Sequence, residues 1–89
     1  MSATPITKSQ VRAAVHRIIA NLAGVDDVSD HEKLGHGGVG FDSVAIDNLR
    51  GDLNQFLDEH GGGHIGEDQL SESTTVGEVV DLVAGQLGI

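Results

Sequence analysis

Cysteine, tryptophan and tyrosine are absent, and the chain has one proline and two aromatic residues, Phe41 and Phe56. Without cysteine there is no disulfide framework, no cysteine-ligated metal and no thiol nucleophile on the chain itself. With so few aromatics, the core has to be built from Val, Leu, Ile and Ala. Basic residues are also scarce: 5 Lys and Arg stand against 14 Asp and Glu, for a formal charge of −9. Such a chain is repelled by phosphate backbones and anionic lipid, which argues against nucleic acid and membrane partners and favours basic patches on other proteins. No apolar run approaches the ~20 residues of a transmembrane helix. The segment from Met1 to Lys8 is polar and does not resemble a signal peptide, so a cytoplasmic location is expected.

What is abundant is glycine, with 13 among 89 residues. Each adds unfolded-state entropy, so stability is expected to be marginal. The length fits a single domain spanning residues 1–89, with no internal repeat and no dividing linker.

Helical periodicity organises most of the chain. Val11, Ala14, Val15, Ile18, Ile19 and Leu22 fall at offsets of 0, 3, 4, 7, 8 and 11, one face of a helix over Thr7 to Leu22. Thr7 with Gln10 forms a capping box, Pro5 sits outside it, and Gly24 marks the stop. Residues 24–41 follow as a long loop in which Val25, Val28, Leu34, Val39 and Phe41 serve as anchors to the core. Loops of this length in compact domains are usually functional. Ile46, Leu49, Leu53, Phe56 and Leu57 define a second helix from about Ser43 to Glu59, capped by Asp42 or Ser43 and ended by Gly61 to Gly63. Ile65 to Leu70 suggests one short helical turn. Thr75 with Glu78 opens a last helix whose stripe is Val76, Val79, Val80, Val83 and Leu87. No segment alternates like a strand. The expected fold is all-α: a small bundle of three main helices and one short one.

Several motif matches fail on context. Gly35, Gly37 and Gly40 fit G-x-G-x-x-G, but no strand precedes them and no βαβ unit follows. A P-loop would need Lys and Ser or Thr where Phe41 and Asp42 stand. Ser43 is not in a G-x-S-x-G nucleophile elbow, and no sheet is expected to hold a triad. The five histidines, His16, His31, His36, His60 and His64, are dispersed among polar and glycine-rich stretches, the pattern of solvated loop residues rather than metal ligands. The acids form no pair suited to acid–base catalysis and read as solvated faces. None of these matches carries a function.

The junction Val39-Gly40-Phe41-Asp42-Ser43-Val44 remains. A serine there stands at the amino end of a helix with an aspartate before it. That is the position of an ordinary N-cap, and also one where a phosphate ester would meet free N–H groups at the positive end of the helix dipole.

At these residues the chain resembles the acyl carrier protein family, whose Asp-Ser-Leu motif opens the second helix. Asp42-Ser43 matches the first two residues of that motif with Val44 in place of its leucine, and Leu49, Leu53 and Leu57 match apolar positions after the serine. Thr74-Thr75-Val76, followed by Val79, Val80 and Val83, is similar to the family's entry into its last helix. The resemblance covers about residues 7–87. It implies a monomeric four-helix carrier domain in which Ser43 accepts 4′-phosphopantetheine from coenzyme A through a phosphopantetheinyl transferase. It also implies an arm thiol that holds acyl groups as thioesters for loading and processing enzymes with basic docking patches, in a fatty-acid, polyketide or other specialised acyl pathway. The resemblance further implies that the chain is not itself an enzyme: such a carrier raises the effective concentration of tethered substrate for its partner enzymes. Aminoacyl or peptidyl carriage, or an unmodified helical interaction module, are the alternatives. The sequence departs from the family at Val44, in its extra glycines, and in a less acidic second helix carrying Ala45, Asn48, Asn54 and Arg50. These departures point to a specialised member. Ser43, Asp47, Arg50 and Asn54 recur at helical spacing, so Val44, Asp47 and Arg50 are the expected partner-facing residues beside the arm.

Overall fold

A computed structural model describes residues 6–89. Three α-helices dominate: α1 at Lys8–Ala23, α2 at Ser43–Glu59 and α3 at Val76–Leu87. The turn expected over Ile65 to Leu70 is a three-residue 3-10 helix at Glu67–Gln69, and no strand occurs among the described residues. The fold is thus three α-helices and one 3-10 turn. Pro5 lies outside the described residues.

The helix ends are set by local chemistry. In α1 the Gln10 N–H donates to Thr7 Oγ1 at 3.2 Å, while the Thr7 N–H donates to Gln10 Oε1 at 2.8 Å. Gly24 stops the helix in the left-handed region at φ 72°. Thr75 and Glu78 form the same reciprocal pair at the start of α3. Each such cap is worth roughly 0.5–2 kcal/mol.

The apolar stripes meet in one core. Val11, Val15 and Ile19 of α1, Leu49, Leu53 and Leu57 of α2, and Val76, Val79 and Val83 of α3 are fully buried. Helix α1 packs most extensively on α3 and also on α2. Burying each leucine of α2 contributes about 1.5–3 kcal/mol, which exceeds the ~1 kcal/mol that Gly51 costs inside the helix. Packing, not propensity, keeps α2 intact. Some stripe residues face outward in part: Leu22 is 38% exposed, and Ile18, Phe56 and Leu87 are half-buried.

The long first loop is tied down by backbone. Val28, Leu34 and Phe41 anchor it in the core with Val39 half-buried, whereas Val25, expected to be an anchor, is 49% exposed. An isolated antiparallel bridge pairs Lys33 with Thr75. Around it the Leu34 N–H donates to the Thr74 carbonyl at 2.8 Å and the Gly35 N–H to the Glu72 carbonyl at 3.0 Å. In return, the Val76 and Gly77 N–H groups donate to the Glu32 and Asp30 carbonyls at 2.9 and 3.0 Å. Those two donors belong to the first turn of α3 and have no partner inside the helix. The loop therefore completes the cap that Thr75 begins.

Two glycines separate close approach from mere permissiveness. A Cβ on Gly38 would overlap the backbone of Lys33, whereas one on Gly51 would meet open space. Gly51→Ala is expected to raise stability by about 0.5–1 kcal/mol. Gly38→Ala is expected to lower it, because the bond from the Val39 N–H to the Lys33 carbonyl would be displaced. Chemical denaturation of the two variants beside the parent protein measures both signs.

Candidate functional site

Ser43 is the first residue of α2 and is exposed. Asp42, not Ser43, is the N-cap: its Oδ1 accepts from the Ala45 N–H at 2.9 Å, which frees the serine hydroxyl from a capping role. The Ile46 N–H donates to the Asp42 carbonyl at 3.0 Å. Among the described residues no protein group accepts from the Ser43 or Val44 N–H. The start of α3 differs, since loop carbonyls and Thr75 take its first three donors. The start of α1 is open like that of α2 and carries the exposed Ser9, but beside it lie Lys8 and the Lys8–Asp81 ion pair at 3.2 Å.

Val44 is 66% exposed, against 38–49% for the other exposed large apolar residues, Leu22, Val25 and Ile89. A single exposed valine is ordinary on a protein surface. Its weight here comes from lying next to Ser43. Phe41 on the other side is buried and its N–H donates to the Leu34 carbonyl at 2.7 Å, so the approach to Ser43 is fixed by the core.

Below Ser43, Asp47, Arg50 and Asn54 do lie on one side of α2, where they form a wall of an open cleft of about 480 Å³. His64, Ile65 and Glu67 face them across it. Asn54 is not a free surface residue. Its Nδ2 donates to the Ile65 carbonyl at 3.1 Å and its Oδ1 accepts from the Ile65 N–H at 2.7 Å. One side chain thus satisfies both polar groups of a residue whose own side chain is fully buried. Arg50 is held between Asp47 and Glu67, each at 3.7 Å, with its side chain 22% exposed. The two carboxylates are far more exposed, so each pair is worth only about a few tenths of a kcal/mol. Nothing in the sequence marks Ile65 or Glu67 as neighbours of α2, because the chain reaches them through Gly61 to Gly63.

A second cluster corrects two sequence expectations. His16 lies in α1, within the helix that the periodicity marks, but it is not a solvated side chain: its Nε2 is 2.6 Å from Asp30 Oδ1. Arg12 pairs with the other oxygen of Asp30. Asp30 is therefore a partly buried partner, not a solvated acid, and it pins the loop to α1 while its carbonyl caps α3. Among the described residues no three His, Asp or Glu side chains form a metal-binding group. No helix there is long and apolar enough to cross a membrane. Gly35 packs against Glu72, with no room for a Cβ, and the Gly38 and Gly40 N–H groups donate to its carbonyl, so the G-x-G-x-x-G match serves a loop turn.

Compared with known proteins, the chain matches no family model, no curated sequence and no solved structure.

Asn54→Ala should cost about 1–3 kcal/mol, because it strands a buried donor and acceptor at Ile65. Hydrogen exchange at the Ile65 amide is expected to quicken more than at Leu49 in the middle of α2. Equal changes at the two amides would show that the clamp has no local effect.

Proposed function

We propose that the chain is a carrier domain of the acyl carrier protein type, with Ser43 as the attachment point for 4′-phosphopantetheine. The observation that carries this reading is an exposed Ser43 hydroxyl on the first turn of α2, released from capping by Asp42 and beside two uncommitted N–H groups. The site suits the group. A phosphodiester on Oγ is anionic, and the start of a helix favours anions through its dipole and free N–H groups. The order of elements and the Asp42-Ser43-Val44 motif agree with the family that the sequence resembles.

In loading, Ser43 Oγ attacks the β-phosphorus of coenzyme A, and a new P–O bond forms as the pyrophosphate P–O bond breaks. Adenosine 3′,5′-bisphosphate leaves, and the hydroxyl proton passes to a base on the phosphopantetheinyl transferase. The arm's terminal thiol, once present, holds an acyl group as a thioester, a function that this cysteine-free chain has no side chain to perform. The protein's own part is to present Ser43, keep α2 rigid behind it and offer a docking face. Val44 supplies an apolar contact on that face and Asp47 an anionic one for basic patches on loading and processing enzymes.

Incubation with coenzyme A and a broad-specificity phosphopantetheinyl transferase should add one arm, seen by intact mass. Ser9→Ala is expected to gain the same mass. Ser43→Ala should keep the helical circular-dichroism signal and gain none. A modified Ser43→Ala protein, or a wild type that no transferase modifies, would leave an unmodified helical interaction module as the better account.

A further inference from the structure

Arg50 is the only Lys or Arg between residue 34 and the end of the chain, a stretch otherwise rich in acids. It stands seven residues after Ser43, about 10.5 Å along the helix axis and on the same side. The Asp47 contact lies one turn toward Ser43, in the direction that helical side chains lean. A phosphopantetheine chain is equivalent to between four and five residues of extended backbone, or roughly 15 Å. An arm laid along α2 therefore brings its thioester to the cleft between Arg50 and Asn54.

The walls of that cleft decide what they can receive. Its apolar floor is closed: Ile65 is fully buried, and Asn54 locks its backbone with two hydrogen bonds. A long alkyl chain would have to break both bonds to reach the core. Arg50 is partly buried and oriented by two long contacts to carboxylates that are 68% and 88% exposed. A carboxylate arriving from the cleft can take the place of Glu67 and offer Arg50 a bidentate partner, the geometry in which a guanidinium binds best.

From this we infer that Arg50 is a specificity-determining residue and that the cleft receives short acyl groups with a free terminal carboxylate, rather than long alkyl or cationic aminoacyl groups. The inference rests on the carrier reading and assigns it a cargo class. The acidic surface sharpens the choice. A chain of charge −9 repels a carboxylated cargo everywhere except at a fixed cation, and Arg50 is the one placed below Ser43.

The test loads the protein from glutaryl-, pentanoyl- and octanoyl-coenzyme A, confirms each product by intact mass, and compares backbone amide shifts at residues 50, 54 and 65–67. Glutaryl and pentanoyl have the same carbon count and differ in the carboxylate. The glutaryl form is expected to shift these amides several-fold more than the pentanoyl form, and the difference should shrink as salt rises. Arg50→Gln should abolish the difference, whereas Glu67→Gln, which removes the competing carboxylate, should enlarge it. Absence of any mass gain at Ser43 would sink the carrier reading and the cargo class with it. Normal mass gain with equal glutaryl and pentanoyl shifts, a glutaryl effect that survives Arg50→Gln, or larger shifts with octanoyl would overturn the cargo assignment alone.

Discussion

The backbone of Leu34 joins the two helix starts on which the molecule depends. Its N–H donates to the Thr74 carbonyl, at the approach to α3, and its carbonyl accepts from the Phe41 N–H, at the approach to α2. The leucine side chain is fully buried, which holds this junction in the core. A long loop rich in glycine would otherwise let α2 drift relative to α3, since backbone freedom is what folding has to overcome. Two main-chain hydrogen bonds and one buried side chain fix where Ser43 emerges. Asp30 secures the other end of the loop, with its carboxylate on Arg12 and His16 and its carbonyl on Gly77. The loop thus acts as a strap between α1 and α3, and it ends at the serine.

The helices were legible because their signals are local. The Thr7–Gln10 and Thr75–Glu78 boxes, the valine and leucine stripes and the Gly24 stop are all spaced within a few turns, and periodicity captures them. Asp42 was legible as a cap for the same reason. The strap was not, because its bonds run between main-chain groups far apart in sequence and leave no pattern in side-chain type. His16 and Asp30 escape for a related reason: a histidine and an aspartate fourteen positions apart carry no signal until a loop brings them together. Asn54 is the clearest case. Its amide looks like a neutral replacement on an exposed face, and only the path through Gly61 to Gly63 reveals that it faces Ile65.

The same side of α2 therefore carries two kinds of residue. Near its start, Ser43, Val44 and Asp47 are exposed and take no part in the core. Two turns further on, Arg50 and Asn54 are engaged with the segment between α2 and α3. A partner that docks on this face meets its free chemistry within the first two turns. Below them it meets a surface already committed to holding Ile65 and Glu67.

That division accounts for the neutral and basic residues, Asn54 and Arg50, on this side of α2 beyond Asp47. Replacing Asn54 by an aspartate would keep the acceptor for the Ile65 N–H and lose the donor for its carbonyl, leaving a partly buried oxygen facing a carboxylate. Replacing Arg50 by an acid would set three carboxylates around one cleft with no cation among them. Asn54 is held by the folding of residues 64–67 before any partner is considered, and Arg50 is engaged there more weakly. Recognition in the proposed carrier then falls to the first turn of α2, where nothing structural competes for it. The cleft below is shaped by the demands of its own backbone, and under the proposed cargo assignment its lone guanidinium is what distinguishes one tethered group from another.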